Sequence, residues 1–167
     1  ESGKTFITNI TELDRVLGTG LTPGGVYLIA GQPGIGKSTL LTQLAISIGT
    51  NSVIPSAVEE SLSRKKAISP RASLGRNDKK ENQVLYICSE ENVGQVATRI
   101  NRLTAIDTKH INLLNTSSVE DILKTTASGK PKLVIVDSIQ SIATENNPTT
   151  AGSPSQIRDS ASLLIQT

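Results

Sequence analysis

One short stretch limits what this chain can fold into more than any other: GQPGIGKST, residues 31–39. It matches the pattern G-x-x-x-x-G-K-[ST], in which a glycine-rich loop between a strand and a helix turns its backbone N–H groups toward phosphate oxygens. GGVYLIA before the loop predicts a short buried strand, and STLLTQLAISIG after it predicts a helix with Gly49 as its cap. A glycine turn that binds nothing is the alternative, and the flanking elements favour a phosphate site.

Every position of this loop is a candidate contact for a nucleotide: Gly31, Gln32, Pro33, Gly34, Ile35, Gly36, Lys37, Ser38 and Thr39. The glycines let the backbone approach the phosphates closely, and the positive end of the following helix attracts them. We expect Lys37 to reach the β and γ phosphates and the Ser38 hydroxyl to bind Mg²⁺.

The rest of the chain alternates predicted strands with predicted helices. QVLYIC, INLLN and KLVIVD are the strands, and KLVIVD is apolar on both faces, as is typical of a parallel sheet covered by helices. TELDRVL and SSVEDILKTTA predict helices with caps formed by Thr11 with Asp14 and by Ser118 with Asp121. Another predicted helix presents one apolar face, formed by Val93, Val96, Ile100 and Leu103. The fold class is therefore α/β, with the functional edge at the carboxyl ends of the strands.

Acidic residues follow two of these strands. Asp137 ends KLVIVD, where a phosphate-loop protein keeps the carboxylate that holds the water shell of Mg²⁺. Glu90 and Glu91 follow QVLYIC, and a carboxylate there can orient and deprotonate the water that attacks the γ phosphate. We predict a catalytic role for one of the two. The alternatives are a strand-terminal Asp137 that caps the next turn and two glutamates in the first turn of the following helix.

Several other residues and one loop allow both a functional and a purely structural interpretation. The loop ATENNPTTAGSPSQIRDS is long and polar, and it is either functional or a solvated connector. Arg158 and Gln156 could face a phosphate or a neighbouring subunit, and a solvated helix face explains them equally well. His110 and Cys88 are single residues, which favours a surface histidine and a small buried strand residue.

Residues 51–82 differ in character from the rest and predict an inserted surface segment, since they are rich in serine, proline and charge without periodicity. Seven basic against four acidic residues give this segment a net charge of +3, which leaves −1 for the remainder of a chain whose total is +2. Net charge therefore gives little support for a nucleic-acid partner.

Composition bounds the location of the protein. No run of about 18 apolar residues is present, and the start lacks the pattern of a signal peptide, so we expect a cytoplasmic protein with no membrane partner. A single cysteine suits a reducing compartment. The absence of methionine and the start at Glu1 suggest a piece of a longer protein.

Four separated blocks closely resemble the ATPase core of the bacterial RadA (Sms) family of DNA repair proteins. They are TELDRVLGTGLTPGGVYLIAGQPGIGKSTLLTQLA, VLYICSEENVGQVATRINRL, LVIVDSIQSI and GSPSQIRDSASLLIQ. The resemblance runs from about Thr5 to the end, apart from residues 51–82, and the blocks agree in order.

This resemblance implies a RecA-like P-loop NTPase that uses ATP and Mg²⁺. It implies a homo-oligomeric ring on single-stranded DNA that promotes branch migration of recombination intermediates, with a recombinase as a candidate further partner. Gly31 to Ser38 would be the nucleotide loop, Asp137 the Mg²⁺ aspartate and Glu90 the catalytic glutamate. Residues 144–155 would correspond to the first DNA-facing loop.

The chain also departs from the RadA pattern. Ser89 replaces the usual glycine and Asn92 the usual serine, and the insertion at 51–82 has no counterpart in the family. The zinc finger of the family would lie before Glu1, so zinc is expected only in that upstream domain, and the Lon-protease-like domain would lie after Thr167. We therefore interpret residues 1–167 as a partial RecA-like domain, truncated at its C-terminal side, with weak nucleotide binding and little turnover when isolated.

Two alternatives stay open. A KaiC-like regulatory ATPase shares the phosphate loop and the paired glutamates, although the blocks DRVLG, PGIGKSTLL, DSIQ and GSPSQIR favour RadA. A non-enzymatic module, in which ATP shapes a DNA-binding surface with negligible turnover, gains weight from Ser89. Aromatic residues make up only 2% of the chain, which argues for DNA contacts through loops and the phosphate backbone rather than through base stacking.

Overall fold

A computed structural model describes residues 5–18, 20–50, 83–105 and 108–166, so the predicted insertion at 51–82 lies outside the described residues. The helices are α1 (Thr11–Leu17), α2 (Lys37–Thr50), α3 (Val93–Leu103), α4 (Val119–Gly129) and α5 (Pro154–Ile165). The strands are β1 (Val84–Cys88), β2 (Ile111–Leu114) and β3 (Leu133–Asp137), and a short 3-10 helix, η1, comes next at Ile139–Ser141. Within these residues no helix is long and apolar enough to cross a membrane.

The three strands form a parallel sheet in the order β2-β1-β3. Successive side chains of the central strand β1 alternate between two apolar clusters, and all five of its residues are buried. On one face Val84 and Tyr86 pack with residues of α2 and α3, and on the other Leu85 and Ile87 pack with residues of α4 and α5. The predicted α/β class, with helices on both faces of a parallel sheet, is confirmed.

The strand predicted at GGVYLIA is wrong. Residues 26–30 belong to no strand, and Val26 and Leu28 are 64% and 82% exposed. An apolar run favours burial but does not supply a partner, and a strand forms only when a neighbour pairs its backbone groups. β3 is an edge strand, and no other described strand pairs with its outer side. Instead the Tyr27 hydroxyl accepts a 2.8 Å hydrogen bond from Thr22 N, which ties the segment to the preceding turn.

Two of the predicted helix ends also differ. Thr11 lies inside α1, whose N-cap is Ile10 without a side-chain bond, and Asp14 reaches past it to accept from Thr8 N at 2.9 Å. Gly49 lies inside α2 rather than capping it. A Cβ at Gly49 would lie 2.8 Å from Ile111 Cγ1, so this glycine allows α2 to approach β2 closely.

Other expected features are confirmed. Ser118 caps α4 by accepting from Asp121 N at 3.2 Å. The apolar face of α3 is turned inward, with Val96 and Ile100 buried. Asn92 caps α3 in a reciprocal pair with Gln95, so replacement of serine at this position keeps a good N-cap residue.

Candidate functional site

The phosphate loop depends on glycine for its backbone conformation. Gly34 and Gly36 have φ of +80° and +100°, and no atom lies within 4 Å of the position that a Cβ would take at either residue. Conformation rather than space therefore requires glycine at both positions. Their N–H groups donate to no acceptor among the described residues, which leaves them available to an anion.

Lys37 is the first residue of α2, and its side chain folds back over the loop. Its Nζ donates to Gly31 O at 2.9 Å and to Gln32 O at 3.0 Å. The first turn of α2 contains no acidic residue, whereas the first turn of α4 contains Glu120 and Asp121. The positive end of α2 is therefore not neutralised by its own side chains.

Ser38 comes after Lys37 in this first turn and is half-buried. Its carbonyl oxygen accepts a 2.7 Å hydrogen bond from Thr42 Oγ1, one turn further along α2. Thr42 is fully buried. The backbone of Ser38 is thus connected to the buried side of the helix.

The second part of the site lies at the carboxyl ends of β1 and β3. These strands are neighbours with Cys88 opposite Asp137, so the segments after them meet. Ser89 N and Glu90 N both donate to Asp137 O, at 3.1 and 3.4 Å. The Asp137–Ser138 peptide bond is cis. The structure therefore brings Glu90 and Asp137 together at one edge of the sheet, as their positions in the sequence predict.

The two adjacent glutamates have different partners. The carboxylate of Glu90 is exposed and accepts hydrogen bonds from Ser138 Oγ and, at 3.2 Å, from Ser141 Oγ. Glu91 forms an ion pair with Arg99 of α3. Neither lies in the first turn of α3, which begins after the N-cap Asn92, so that alternative placement is wrong. Glu90 is therefore the one of the two that faces the segment after β3.

Ser89, at a position where the RadA resemblance leads us to expect glycine, causes no backbone strain. Its φ is not positive, so the position does not need glycine for its conformation. Its hydroxyl donates to Ser138 O at 3.0 Å and adds a further link between the ends of β1 and β3.

Asp137 has a buried partner that the sequence pattern did not predict. The hydroxyl of Tyr86, a fully buried residue of β1, donates to Asp137 Oδ2 at 2.8 Å. Burial raises the pKa of Tyr86, and the bond to Asp137 and its charge raise that pKa further, so the phenol keeps its proton. A tyrosine inside a strand of aliphatic residues was the available signal, because a buried hydroxyl needs a partner.

Cys88 is the small buried strand residue that the sequence predicts. Burial, and after it the charges of Asp137 and Glu91, raises the pKa of Cys88 to about 11. The thiol therefore stays protonated at neutral pH and is not an activated nucleophile. Among the described residues, no group of three or more His, Cys, Asp or Glu side chains forms a metal-binding cluster.

The long loop after η1 is held from inside by Gln156, which is 1% exposed. Its Oε1 accepts from Thr144 N at 3.2 Å, and its Nε2 donates to the carbonyl oxygens of Thr144, Asn147 and Thr149. The expectation that Gln156 faces a phosphate, a subunit or solvent is wrong. Arg158 is 74% exposed beside Asp159, which agrees with a solvated helix face.

Glu120 holds the same loop from α4. Its Oε1 accepts from Thr144 Oγ1 at 2.5 Å and from Glu145 N at 3.1 Å. Desolvation acts to raise the pKa of Glu120, but the bonds from Thr144, from backbone N–H groups and from Ser118 outweigh it, so this pKa is lowered.

Comparisons with known proteins agree with the resemblance drawn from the sequence. The chain is 35% identical to DNA repair protein RadA of Pseudomonas aeruginosa over 161 residues, which make up 96% of this chain and 29% of that protein. It is 37% identical to RadA of Aquifex aeolicus over 152 residues (91% and 27%) and 33% identical to RadA of Escherichia coli over 161 residues (96% and 28%). The chain thus spans less than a third of the length of these relatives.

A family model described as "ATPase: KaiC" matches residues 6–159, which include the phosphate loop and both strands of the acidic edge. The match covers nearly the whole chain and accords with the parallel sheet flanked by helices. The chain therefore belongs to the KaiC family of RecA-like ATPases.

Proposed function

We propose that this chain is the nucleotide-binding core of a DNA-repair ATPase, in which Glu90 is the catalytic carboxylate and Lys37, Ser38 and Asp137 hold Mg²⁺ and ATP. The observation that carries the proposal is the separation of the two glutamates. Glu91 is engaged by Arg99, while the carboxylate of Glu90 lies beside the segment after Asp137 and, among the described residues, accepts only from the hydroxyls of Ser138 and Ser141. A carboxylate free of cations can accept a proton from water.

The residues fit a magnesium nucleotide. Gly34 and Gly36 offer N–H groups that no acceptor in the described part of the chain occupies, at an N-terminus of α2 without acidic residues in its first turn, and this arrangement favours phosphate. A hydroxyl and a carboxylate, from Ser38 and Asp137, are the oxygen donors that Mg²⁺ prefers. Bound Mg²⁺ would neutralise charge on the β and γ phosphates.

Lys37 and Glu90 act through exchange of partners in this scheme. The ammonium group of Lys37 leaves the carbonyl oxygens of Gly31 and Gln32 and donates to phosphate oxygens instead, which carry more charge. Glu90 leaves the hydroxyls of Ser138 and Ser141 and accepts the proton of the attacking water. Both exchanges replace neutral partners by the reacting groups.

The DNA-related part of the proposal rests on the RadA relatives, which are named DNA repair proteins. We propose single-stranded DNA and recombination intermediates as partners, a homo-oligomeric ring, DNA-stimulated hydrolysis, branch migration and a cytoplasmic location. The loop that Gln156 and Glu120 hold is the proposed DNA-facing element, and a recombinase is the candidate protein partner.

A KaiC-like regulatory ATPase is the second candidate, since the family match is to KaiC. The region C-terminal to residue 167 in the natural protein distinguishes the two candidates. A Lon-like domain there favours RadA, and a second phosphate loop favours the alternative. The third candidate, a nucleotide-binding module without turnover, loses the support of Ser89, because that residue fits its position without strain.

The decisive experiment compares Glu90→Gln with Glu91→Gln in the full-length protein, with and without single-stranded DNA. We expect Glu90→Gln to lower ATP hydrolysis on the order of 10²–10⁴-fold while ATP still binds, because the proton acceptor is lost. Glu91→Gln, the matched control, keeps most of the turnover. Equal turnover in Glu90→Gln and wild type would overturn the catalytic assignment. A rate of ATP hydrolysis that is the same with and without single-stranded DNA would overturn the proposed DNA stimulation.

The isolated residues 1–167 provide a separate check. We expect weak nucleotide binding and little hydrolysis from them, because a RecA-like site is completed by later strands and by a neighbouring subunit. Strong DNA-stimulated hydrolysis by this fragment alone would contradict that expectation.

A further inference from the structure

Tyr86 is a buried residue that links Asp137, one of the two expected Mg²⁺ ligands, to the protein interior. Its hydroxyl donates to Asp137 Oδ2 at 2.8 Å, and the side chain of Thr42 lies near enough to this hydroxyl to act against the rise of the Tyr86 pKa. Thr42 in turn donates to Ser38 O at 2.7 Å. A buried route therefore runs from Ser38 on α2, through Thr42 and Tyr86, to Asp137 on β3.

The bond from Tyr86 occupies only one oxygen of the Asp137 carboxylate. Oδ2 has this buried donor, whereas Oδ1 accepts no hydrogen bond from the part of the chain that the structure describes. A carboxylate fixed by one oxygen keeps a defined rotamer and presents the other oxygen in one direction. The chain thus supplies an anchor on the inner side of Asp137 and leaves the outer side for a ligand.

Packing alone does not account for a tyrosine at this position. Tyr86 is completely buried in the central strand between Val84 and Cys88, where its ring packs in the same cluster as α2 and α3. A phenylalanine would fill the same space without a polar atom that has to find a partner. The hydroxyl donates its hydrogen bond to Asp137 on the neighbouring strand β3, so its place in the core is tied to that carboxylate.

We propose that Tyr86 is a positioning residue that orients Asp137 toward the water shell of the nucleotide-bound Mg²⁺. The inference rests on the proposed function, since it requires Asp137 to face the metal. It extends that function by assigning to a buried residue of β1, which touches neither metal nor nucleotide, control over the affinity of the site for Mg²⁺.

The test is Tyr86→Phe in the full-length protein, which removes one oxygen atom and keeps the ring. Mn²⁺, as a probe of the Mg²⁺ site, is titrated by electron paramagnetic resonance in the presence of a non-hydrolysable ATP analogue. We expect metal affinity to fall on the order of 10- to 100-fold, as for other groups that orient metal ligands. Binding of the analogue without metal stays unchanged.

Tyr27→Phe is the matched control, because Tyr27 is the other tyrosine of the chain and its hydroxyl contacts Thr22, not Asp137. It leaves metal affinity unchanged. Thr42→Val is a second variant, expected to shift metal affinity in the same direction by less, because it loosens the hydroxyl of Tyr86 from the α2 side. Thermal melting of each variant shows that it is folded.

The outcomes separate this inference from the proposed function. If Asp137→Asn lowers metal affinity and Tyr86→Phe and Thr42→Val leave it as in wild type, the inference on Tyr86 is wrong and the role of Asp137 stands. If Asp137→Asn also leaves metal affinity unchanged, the metal assignment of the proposed function is wrong. The inference also predicts the result for the double variant. Tyr86→Phe should have no further effect on metal affinity in the Asp137→Asn background, because the two residues act as one unit.

Discussion

The phosphate loop and the loop after η1 are built in opposite ways. The phosphate loop at residues 31–36 is exposed, and its N–H groups at Gly34 and Gly36 have no protein acceptor among the described residues. The loop at residues 144–153 wraps around the buried side chain of Gln156, which bonds to three of its backbone carbonyls and one of its N–H groups. A loop that leaves its polar groups free is suited to a ligand, and a loop that satisfies them internally keeps its shape without one.

This contrast has a consequence for mutations. Changes in the phosphate loop should alter nucleotide binding and turnover with little effect on folding. Changes at the residues that hold the second loop should alter stability and local order first. Four substitutions test this division, from the largest expected effect to the smallest.

The largest effect is expected from Lys37→Ala. Loss of the ammonium group removes a cation from the developing charge on the phosphates, and we expect ATP hydrolysis to fall on the order of 10²–10³-fold. The melting temperature should hardly change, because the bonds of Lys37 to Gly31 O and Gln32 O are exposed. Steady-state hydrolysis and thermal melting measure the two effects. Lys124→Ala on the exposed side of α4 is the control, and a large loss of stability in Lys37→Ala would break the contrast.

The second effect is expected at Gln156→Leu. Leucine fills the space but leaves the N–H of Thr144 and the carbonyls of Thr144, Asn147 and Thr149 without their partner. We expect the free energy of unfolding to fall by about 1–3 kcal/mol. Amide hydrogen exchange should rise in residues 144–149 before it rises in β1.

The exposed Gln140 is the control for this change, since Gln140→Leu leaves the loop bonds intact. An equal loss of stability in both variants would mean that Gln156 does not organise the loop.

The third effect is expected at Gly36→Ala, which forces a residue with a Cβ to adopt φ of +100°. No atom crowds the position, so the alanine meets only backbone strain, roughly 1–2 kcal/mol if the loop keeps its shape. The exposed loop relieves this strain by relaxing to negative φ, so the melting temperature should hardly change. Nucleotide affinity should fall about tenfold, because a loop that relaxes to negative φ no longer points its N–H groups at phosphate. Isothermal titration calorimetry with an ATP analogue measures it. Gly129→Ala near the end of α4, where φ is not positive, should leave affinity unchanged.

The same contrast explains how far the sequence could predict the structure. The phosphate loop is specified by adjacent residues, so its pattern alone locates it, and β1 and β3 are specified by continuous apolar runs. The prediction of a strand at residues 24–30 was wrong, because a strand needs a neighbouring strand to pair with, and hydrophobicity alone does not indicate whether one is available. Of the site, the positions of Glu90 and Asp137 at one edge could be predicted from strand order, but the roles of their neighbours could not.

Those missed roles depend on contacts that cross from one helix or strand to another part of the chain. The ion pair with Arg99 distinguishes Glu91 from Glu90. The position of Arg99 depends on how α3 packs against β1. Tyr86 is one residue of the predicted strand QVLYIC, and its partner Asp137, whose carboxylate lies 2.8 Å from its hydroxyl, is 51 positions further along the chain. Gln156 lies in a predicted helix, and helical spacing does not indicate that the loop at residues 144–149 packs over its side chain. Each of these side chains obtains its role from a partner outside its own helix or strand, from 7 positions away for Gln156 and Thr149 to 51 positions away for Tyr86 and Asp137.

The smallest effect is expected from Glu120→Gln, and it depends on pH. The lowered pKa of Glu120 means that its carboxylate stays charged in the folded protein to a lower pH than in the unfolded chain. Its contribution to stability is therefore full above the usual glutamate pKa of about 4.3 and is lost as the pH falls through the lower folded value. At pH 7 we expect Glu120→Gln to lower the free energy of unfolding by about 1 kcal/mol or less, because the carboxylate remains partly in water. The difference from wild type should close below about pH 4 in urea unfolding curves. Glu145→Gln, at an exposed position of the same loop, is the control and should leave the stability at pH 7 as in wild type. A pH-independent difference for Glu120→Gln would mean that its bonds to Thr144 and to Glu145 N stabilise the loop by shape and not by charge.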